Sequence, residues 1–271
     1  SDSMAATLPP LPGTTGRRDW RTAFAAIRKL LANGDDTVQV FRIMRALNVG
    51  ATEKGYARLI ATEQGGRIAY DQVELAEVFS QPGFAQQFAP GTVGAAYRDF
   101  LESTGYSADG LADVSREGTD SEDMPHPYAW FGRRVRDTHD IWHVMTGYKA
   151  DESLGEAALV AFSYAQVGGL GWAFIGAAAA LKSLRVTKGT LFTRAVWEGY
   201  RHGRATKWLS GEDYLTLLHE PIEAARQRLG IREPKAYLEA QRVLGPEMAS
   251  YLSDRREKNA AIEAEPQRLA A

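Results

Sequence analysis

The chain has 271 residues, enough for one large domain or two small ones, and 44% of them are hydrophobic, sufficient for a sizeable core. Charged residues make up 24% and the formal net charge is -2, so the global balance does not favour nucleic acid as a partner. Cysteine is absent, which excludes disulfides, thiolate metal sites and a cysteine nucleophile, and fits a reducing compartment.

Ser1-Asp2-Ser3 reads as an expression remnant ahead of Met4, and Leu8-Pro9-Pro10-Leu11-Pro12-Gly13 as a loop rather than the apolar segment of a signal peptide. Residues 1–16 are thus expected as a disordered leader and loop, 17–258 as one all-α domain, and 259–271 as a polar tail, in a cytoplasmic protein. Helical periodicity dominates the chain from residue 17 onward. Trp20, Phe24, Ile27 and Leu31 recur at helical spacing, opposed by Arg17, Arg18, Arg21, Arg28 and Lys29; such a helix suits a core position or a peripheral membrane contact. Val40, Ile43, Met44 and Leu47 repeat the pattern, and Tyr56, Leu59 and Ile60 mark a third segment ending near Gly65-Gly66. Short helices are predicted over Glu74 to Phe79, stopped by Pro82-Gly83, and over Thr92 to Ser103.

Residues 104–127 form the longest expected irregular segment, with Glu117, Asp120, Glu122 and Asp123 and then Pro125-His126-Pro127. Helices are predicted over 128–146, 191–209, 212–229 and 236–258, with Asp213 as an early-turn acid and Gly230 as a stop. Between them, residues 157–181 carry no charge and are long enough to span a bilayer, but Ala and Gly dominate; a buried helix, or two helices broken at Gly168-Gly169, is the expectation. The stretch Gly168 to Ala180, with Trp172, Phe174 and Ile175, suits either a groove wall or tight helix packing. Arg194, Arg201 and Arg204 share a helix face near Lys207, a pattern of either a solvated face or a contact for an anionic head group. His202, four after Glu198, suits an intrahelical polar contact. No alternating strand pattern or fixed repeat stands out, so the fold class is all-α, a single multi-helix domain.

The chemistry concentrates in His139-Asp140-Ile141-Trp142-His143, followed by Gly155-Glu156. Two histidines four apart share a helix face and offer two imidazole nitrogens to one divalent ion. A carboxylate from the next helix completes three protein ligands and leaves positions open for water or substrate. Glu156 is placed for this; Asp140 binds directly or orients a histidine from behind. Two histidines and a carboxylate suit Zn2+, Fe2+ or Mn2+. A zinc protease would need Glu after the first His, and a di-iron bundle two Glu-x-x-His repeats. An HD-type phosphohydrolase would need a further upstream His, where only His126 stands.

These residues and their surroundings resemble the ubiquinone (coenzyme Q) biosynthesis protein 4 family, whose signature is His-Asp-x-x-His, eleven residues, then Glu. His139, Asp140, His143 and Glu156 match in kind, with twelve residues before Glu156; Glu152 is the other candidate acid. Pro90-Gly91-Thr92-Val93-Gly94-Ala95-Ala96-Tyr97, Arg136-Asp137-Thr138-His139-Asp140, Trp197-Glu198-Gly199 and Pro221-Ile222-Glu223 through Leu229-Gly230-Ile231 extend the likeness over roughly residues 40–231. The resemblance implies a hydrophobic lipid groove, a homodimer, a divalent metal with zinc foremost, and other ubiquinone-biosynthesis enzymes as partners. It implies removal of the C1 carboxylate from a polyprenylated hydroxybenzoate, coupled in an oxidative version to C1 hydroxylation, with Asp140 and His143 as catalytic groups. A non-catalytic prenyl-lipid-binding scaffold is the alternative, and a peripheral position on the inner face of a membrane suits either role.

Overall fold

A computed structural model describes residues 8–11, 16–34, 36–116, 123–187 and 189–249. The described residues form α-helices and short 3-10 turns with no strand; the sole β-type pairing among them is an isolated antiparallel bridge between Thr92 and Pro221. The helices are α1 (Trp20–Ala32), α2 (Thr37–Leu47), α3 (Ala51–Ile60), α4 (Glu63–Asp71), α5 (Leu75–Phe79), α6 (Val93–Thr104), α7 (Ala108–Arg116), α8 (Pro127–Thr146), α9 (Ser153–Val167), α10 (Leu170–Val186), α11 (Leu191–Ala205), α12 (Tyr214–Leu217), α13 (Ile222–Leu229) and α14 (Lys235–Ala249).

The uncharged run divides at Gly168-Gly169 into α9 and α10, the second of the two arrangements the sequence allows. Both glycines have positive φ (68° and 90°), a turn that a side chain would strain. Among the described residues no helix is long and apolar enough to cross a membrane. Instead α9 sits at the centre, with α10, α11 and α14 against it. The approach of α11 depends on Gly199 and Gly203: a Cβ there would stand 2.4 Å from the Ala158 carbonyl and 2.5 Å from the Phe162 carbonyl. The main core gathers Ile141, Trp142, Leu154, Leu159, Phe162, Phe192 and Tyr237 around this contact. Burying a side chain such as Phe162 contributes on the order of 1.5–3 kcal/mol.

Helix α8 is buried on nearly every side although it is rich in charge. Each charge therefore needs a partner. Arg133 grips Glu74 with two bonds of 3.0 and 2.7 Å, Arg134 donates to the Ser210 and Glu212 carbonyls, and Arg136 donates to Asp137 (2.7 Å) and the Ser115 hydroxyl (2.8 Å). Trp142 donates through its indole to the Tyr214 hydroxyl at 2.7 Å. These bonds hold α8 in one rotational setting, and so hold the histidine face in one direction.

Several boundaries differ from the sequence expectation. The third segment is two helices, because the Thr62 hydroxyl accepts from the Gly65 amide and starts α4. Gly65 thus opens a helix instead of closing one: a Cβ would stand 1.8 Å from the Leu59 carbonyl. Part of the expected irregular stretch 104–127 is helical as α7, while Glu117, Asp120 and Glu122 lie outside the described residues. The span 212–229 is broken into α12 and α13 where Pro221 pairs with Thr92. Asp213 caps α12, and Gly230 ends α13 in the left-handed conformation. The last helix is kinked at Gly245-Pro246; its expected extension to 258, and the tail 259–271, lie outside the described residues. On α1 the buried face is Ala23, Ala26, Ile27 and Leu30, while Trp20 and Phe24 stay 44% and 55% exposed, packed edge-on against Phe174.

Candidate metal centre

Helix α8 starts with His126 as its cap and Pro127 as its first residue, and ends at Gly147, whose φ of 84° turns the chain back. The turn brings the Tyr148 carbonyl to 2.7 Å from His143 Nδ1. A carbonyl only accepts, so Nδ1 carries the proton and the Nε2 lone pair points the other way. The chain then enters α9 at Glu152, and Gly155 lets the first turn of α9 lie directly on the returning loop: a Cβ there would stand 2.1 Å from the Lys149 carbonyl. Glu156, one residue further, reaches to 3.7 Å from His143 Nε2.

One donor atom from each of His139, His143 and Glu156 lies within 4.8 Å of the others. Burial pushes the His139 imidazole down to about 4 and His143 to about 3; the neighbouring His139 adds to the second shift and the Tyr148 bond opposes it. Both rings are therefore neutral at neutral pH, the form a metal ion requires. Trp172 stacks on His139 at 5.8 Å and 19°, and Phe100 on His143 at 5.8 Å and 20°, so aromatic walls fix both rings. Two imidazoles and one carboxylate, with a fixed tautomer on the second ring, fit a divalent ion of the zinc type.

Asp140 is brought to the same place but not into the donor cluster. Its carboxyl lines the adjoining cavity, and burial, with Asp137 beside it, raises its pKa to about 7. Glu152, the other candidate acid, is engaged elsewhere: it accepts from the Tyr237 hydroxyl and, at 2.8 Å, from Gln241. His126 bonds to Pro9 and the Tyr128 amide, His202 sits at the end of α11, and His219 packs on Phe88. None of these joins the cluster, so the third ligand that an HD-type hydrolase needs is not supplied by another histidine.

The cluster opens into a cavity of about 1290 Å³, larger than the usual range for small-molecule sites. Its walls include Ile27 and Leu30 of α1, Val40 and Met44 of α2, Val160 of α9, and Trp172, Ile175 and Ala179 of α10. Of the residues expected along a groove, Trp172 and Ile175 line this space, while Phe174 packs with Trp20 and Phe24. The Tyr148 carbonyl and the Phe100 ring escaped sequence reasoning. The sole hint of the first was Gly147, a stop that turns the chain back; nothing local marked the second.

Residues 22–235 match the family model described as Coenzyme Q (ubiquinone) biosynthesis protein Coq4. The chain is 28% identical over 186 residues to the mitochondrial ubiquinone biosynthesis protein coq4 of Pyrenophora tritici-repentis, covering 65% of this chain and 58% of that protein. It is 27% identical over 153 residues to its counterpart in Scheffersomyces stipitis, covering 55% of this chain and 44% of that protein. The match thus spans about half the length of these curated relatives. A solved structure from Nostoc punctiforme PCC 73102, assigned to ubiquinone biosynthesis, superposes with a TM-score of 0.55 at 18% identity; the match covers 80% of this chain and all of that one, and shows a shared fold.

Proposed function

The chain belongs to the Coenzyme Q (ubiquinone) biosynthesis protein Coq4 family, and from that premise we propose that it is a metal-dependent lyase removing the C1 carboxylate of a polyprenylated hydroxybenzoate. The observation that carries this reading is the convergence of His139, His143 and Glu156 on the wall of a largely apolar cavity of about 1290 Å³. His139, His143 and Glu156 hold the ion, zinc foremost, and when bound it polarises a carboxylate or phenol oxygen as a Lewis acid. The cavity takes the prenyl chain, and its walls exclude water from the ring. Asp140 delivers a proton to ring carbon C1, making it tetrahedral. The C1–carboxylate bond then breaks, its electron pair returns to the ring, and carbon dioxide leaves. One proton is consumed and no oxidant is needed; coupled C1 hydroxylation would require one in addition.

A peripheral position on a membrane belongs to the same reading. The exposed Trp20 and Phe24 beside Arg17, Arg18 and Arg21 suit a lipid–water boundary, and α1 is also a cavity wall, so a prenyl lipid passes from one to the other. The curated relatives are named mitochondrial. Homodimerisation and contact with other ubiquinone-biosynthesis enzymes complete the proposal. The test is to purify wild type and His143→Ala without chelator, quantify bound metal, and follow carbon dioxide release from a polyprenyl hydroxybenzoate. Stoichiometric metal with release by wild type alone supports the lyase. Metal and lipid binding without turnover, with or without oxygen, refutes catalysis in favour of the scaffold.

A further inference from the structure

On the outer side of the α9–α10 turn lies a second hollow of about 510 Å³, lined by Arg18, Lys54 and Arg204 together with Tyr164, Tyr200 and the backbone of Gly168-Gly169. No acidic residue lines it, and none of His139, His143 and Glu156 does. Among the described residues the three cations have no carboxylate partner. Arg18 donates to the Leu47 carbonyl at 3.3 Å and Arg204 to the Tyr200 hydroxyl at 3.3 Å, and no bond is seen for the Lys54 ammonium. Elsewhere the fold pairs arginines readily, as in Arg133 with Glu74 and Arg228 with Glu212 and Glu220. Three uncompensated like charges around one concavity repel one another and focus a positive potential in it. The 17-residue α10 also starts beside the hollow, but Asn48 Oδ1 accepts from its Gly171 amide at 2.7 Å, so the cationic side chains and not the helix end set the charge there.

We propose that this hollow is a binding site for a phosphate group, distinct from the metal centre. An anion with several acceptor oxygens satisfies what a single carboxylate would not: three cationic donors spread over α1's approach, α3 and α11 around one hollow. The Tyr164 and Tyr200 rings stack at 5.9 Å, and Tyr200 holds Arg204, so part of the site is preformed. An indole ring stands beside it: Trp197, 60% exposed, packs on Tyr200 at 5.3 Å. Exposed tryptophan beside cations is the arrangement of a lipid–water boundary, which favours a phospholipid head group over free phosphate as the source. Charge and shape alone carry this site, and it does not need the metal reading.

The test uses the full chain, the pocket variants Lys54→Gln and Arg204→Gln, and a control, Arg28→Gln, which removes one exposed charge of α1 outside the hollow. Binding is measured to inorganic phosphate by calorimetry, and to phosphatidylcholine vesicles with and without phosphatidylglycerol by co-sedimentation. Each pocket substitution should weaken binding roughly tenfold, the loss of one charge-assisted bond, while the control stays near wild type. Loss confined to the anionic vesicles assigns the site to a phospholipid; loss seen with inorganic phosphate alone assigns it to a soluble phosphorylated ligand. Equal weakening in pocket and control variants, or no binding of either probe, overturns the proposal. Thermal unfolding of each variant checks that the fold is intact.

Discussion

Gly155 holds the first turn of α9 against the loop that carries the Tyr148 carbonyl, so Gly155→Ala tests the geometry of the centre without touching a ligand. The new Cβ would stand 2.1 Å from the Lys149 carbonyl oxygen and 2.7 Å from its amide nitrogen. Ordinary contact lies near 3.5 Å, so helix and loop must separate by more than about 1 Å. If the helix yields, Glu156 withdraws from the histidines; if the loop yields, the Tyr148 carbonyl leaves His143 Nδ1. Overpacking of this kind costs about 1–3 kcal/mol, offset by about 0.5–1 kcal/mol from replacing a helical glycine. Zinc affinity should fall about 10- to 100-fold, the usual effect of disturbing the support of a ligand. The assay is a competition titration against a chromophoric chelator, with urea unfolding in parallel. Gly176→Ala is the control: its Cβ meets only Val160 at 3.7 Å, so stability should rise by about 0.5–1 kcal/mol with zinc affinity unchanged. Zinc bound by Gly155→Ala as tightly as by wild type would refute the claim that this contact sets the site.

Glu156→Gln should lose metal while keeping the unfolding midpoint of metal-free wild type, whereas Glu152→Gln should keep metal stoichiometry and lose stability, because Glu152 serves Tyr237 and Gln241; metal analysis and denaturation in chelator separate the roles. Tyr237→Phe preserves the ring against Tyr148 but strips the hydroxyl that Glu152 and the Lys149 amide use, and should cost about 1.5–3 kcal/mol in urea unfolding. Glu198→Ala removes the buried carboxylate that accepts from the Ala236 and Tyr237 amides, so α14 should loosen first, seen as faster hydrogen exchange there than in α9. His202 is held below its usual pKa, first by burial and then by Arg201 and Arg232 against Glu198. The unfolded chain then binds the extra proton first, so stability falls as pH drops below about 6.5 toward the depressed folded value. His202→Gln should reduce that slope, leaving the part that His139 and His143 contribute, in unfolding midpoints measured from neutral pH to about pH 5.

The amino-acid order by itself determined the helical class and the pairing of His139 with His143, and it marked Gly168-Gly169 as one of two readings of the uncharged run, because these follow from periodicity, one helical turn and backbone freedom. Those are short-range properties, and they survive in any fold that keeps the helix. The choice of Glu156 over Glu152 was not legible, since both stand near the start of one helix; contacts with Tyr237 and Gln241 of α14, far along the chain, claim Glu152. Nor was the exposure of Trp20 and Phe24, whose spacing suited a core or a membrane contact alike; the packing of α1 on α2 and α10 buries Ala23 and Ala26 instead. The cavity, the ring walls of Phe100 and Trp172, and the hollow shared by Arg18, Lys54 and Arg204 join residues from helices distant in sequence. Only packing, which sets which faces meet and at what distance, decides such groupings.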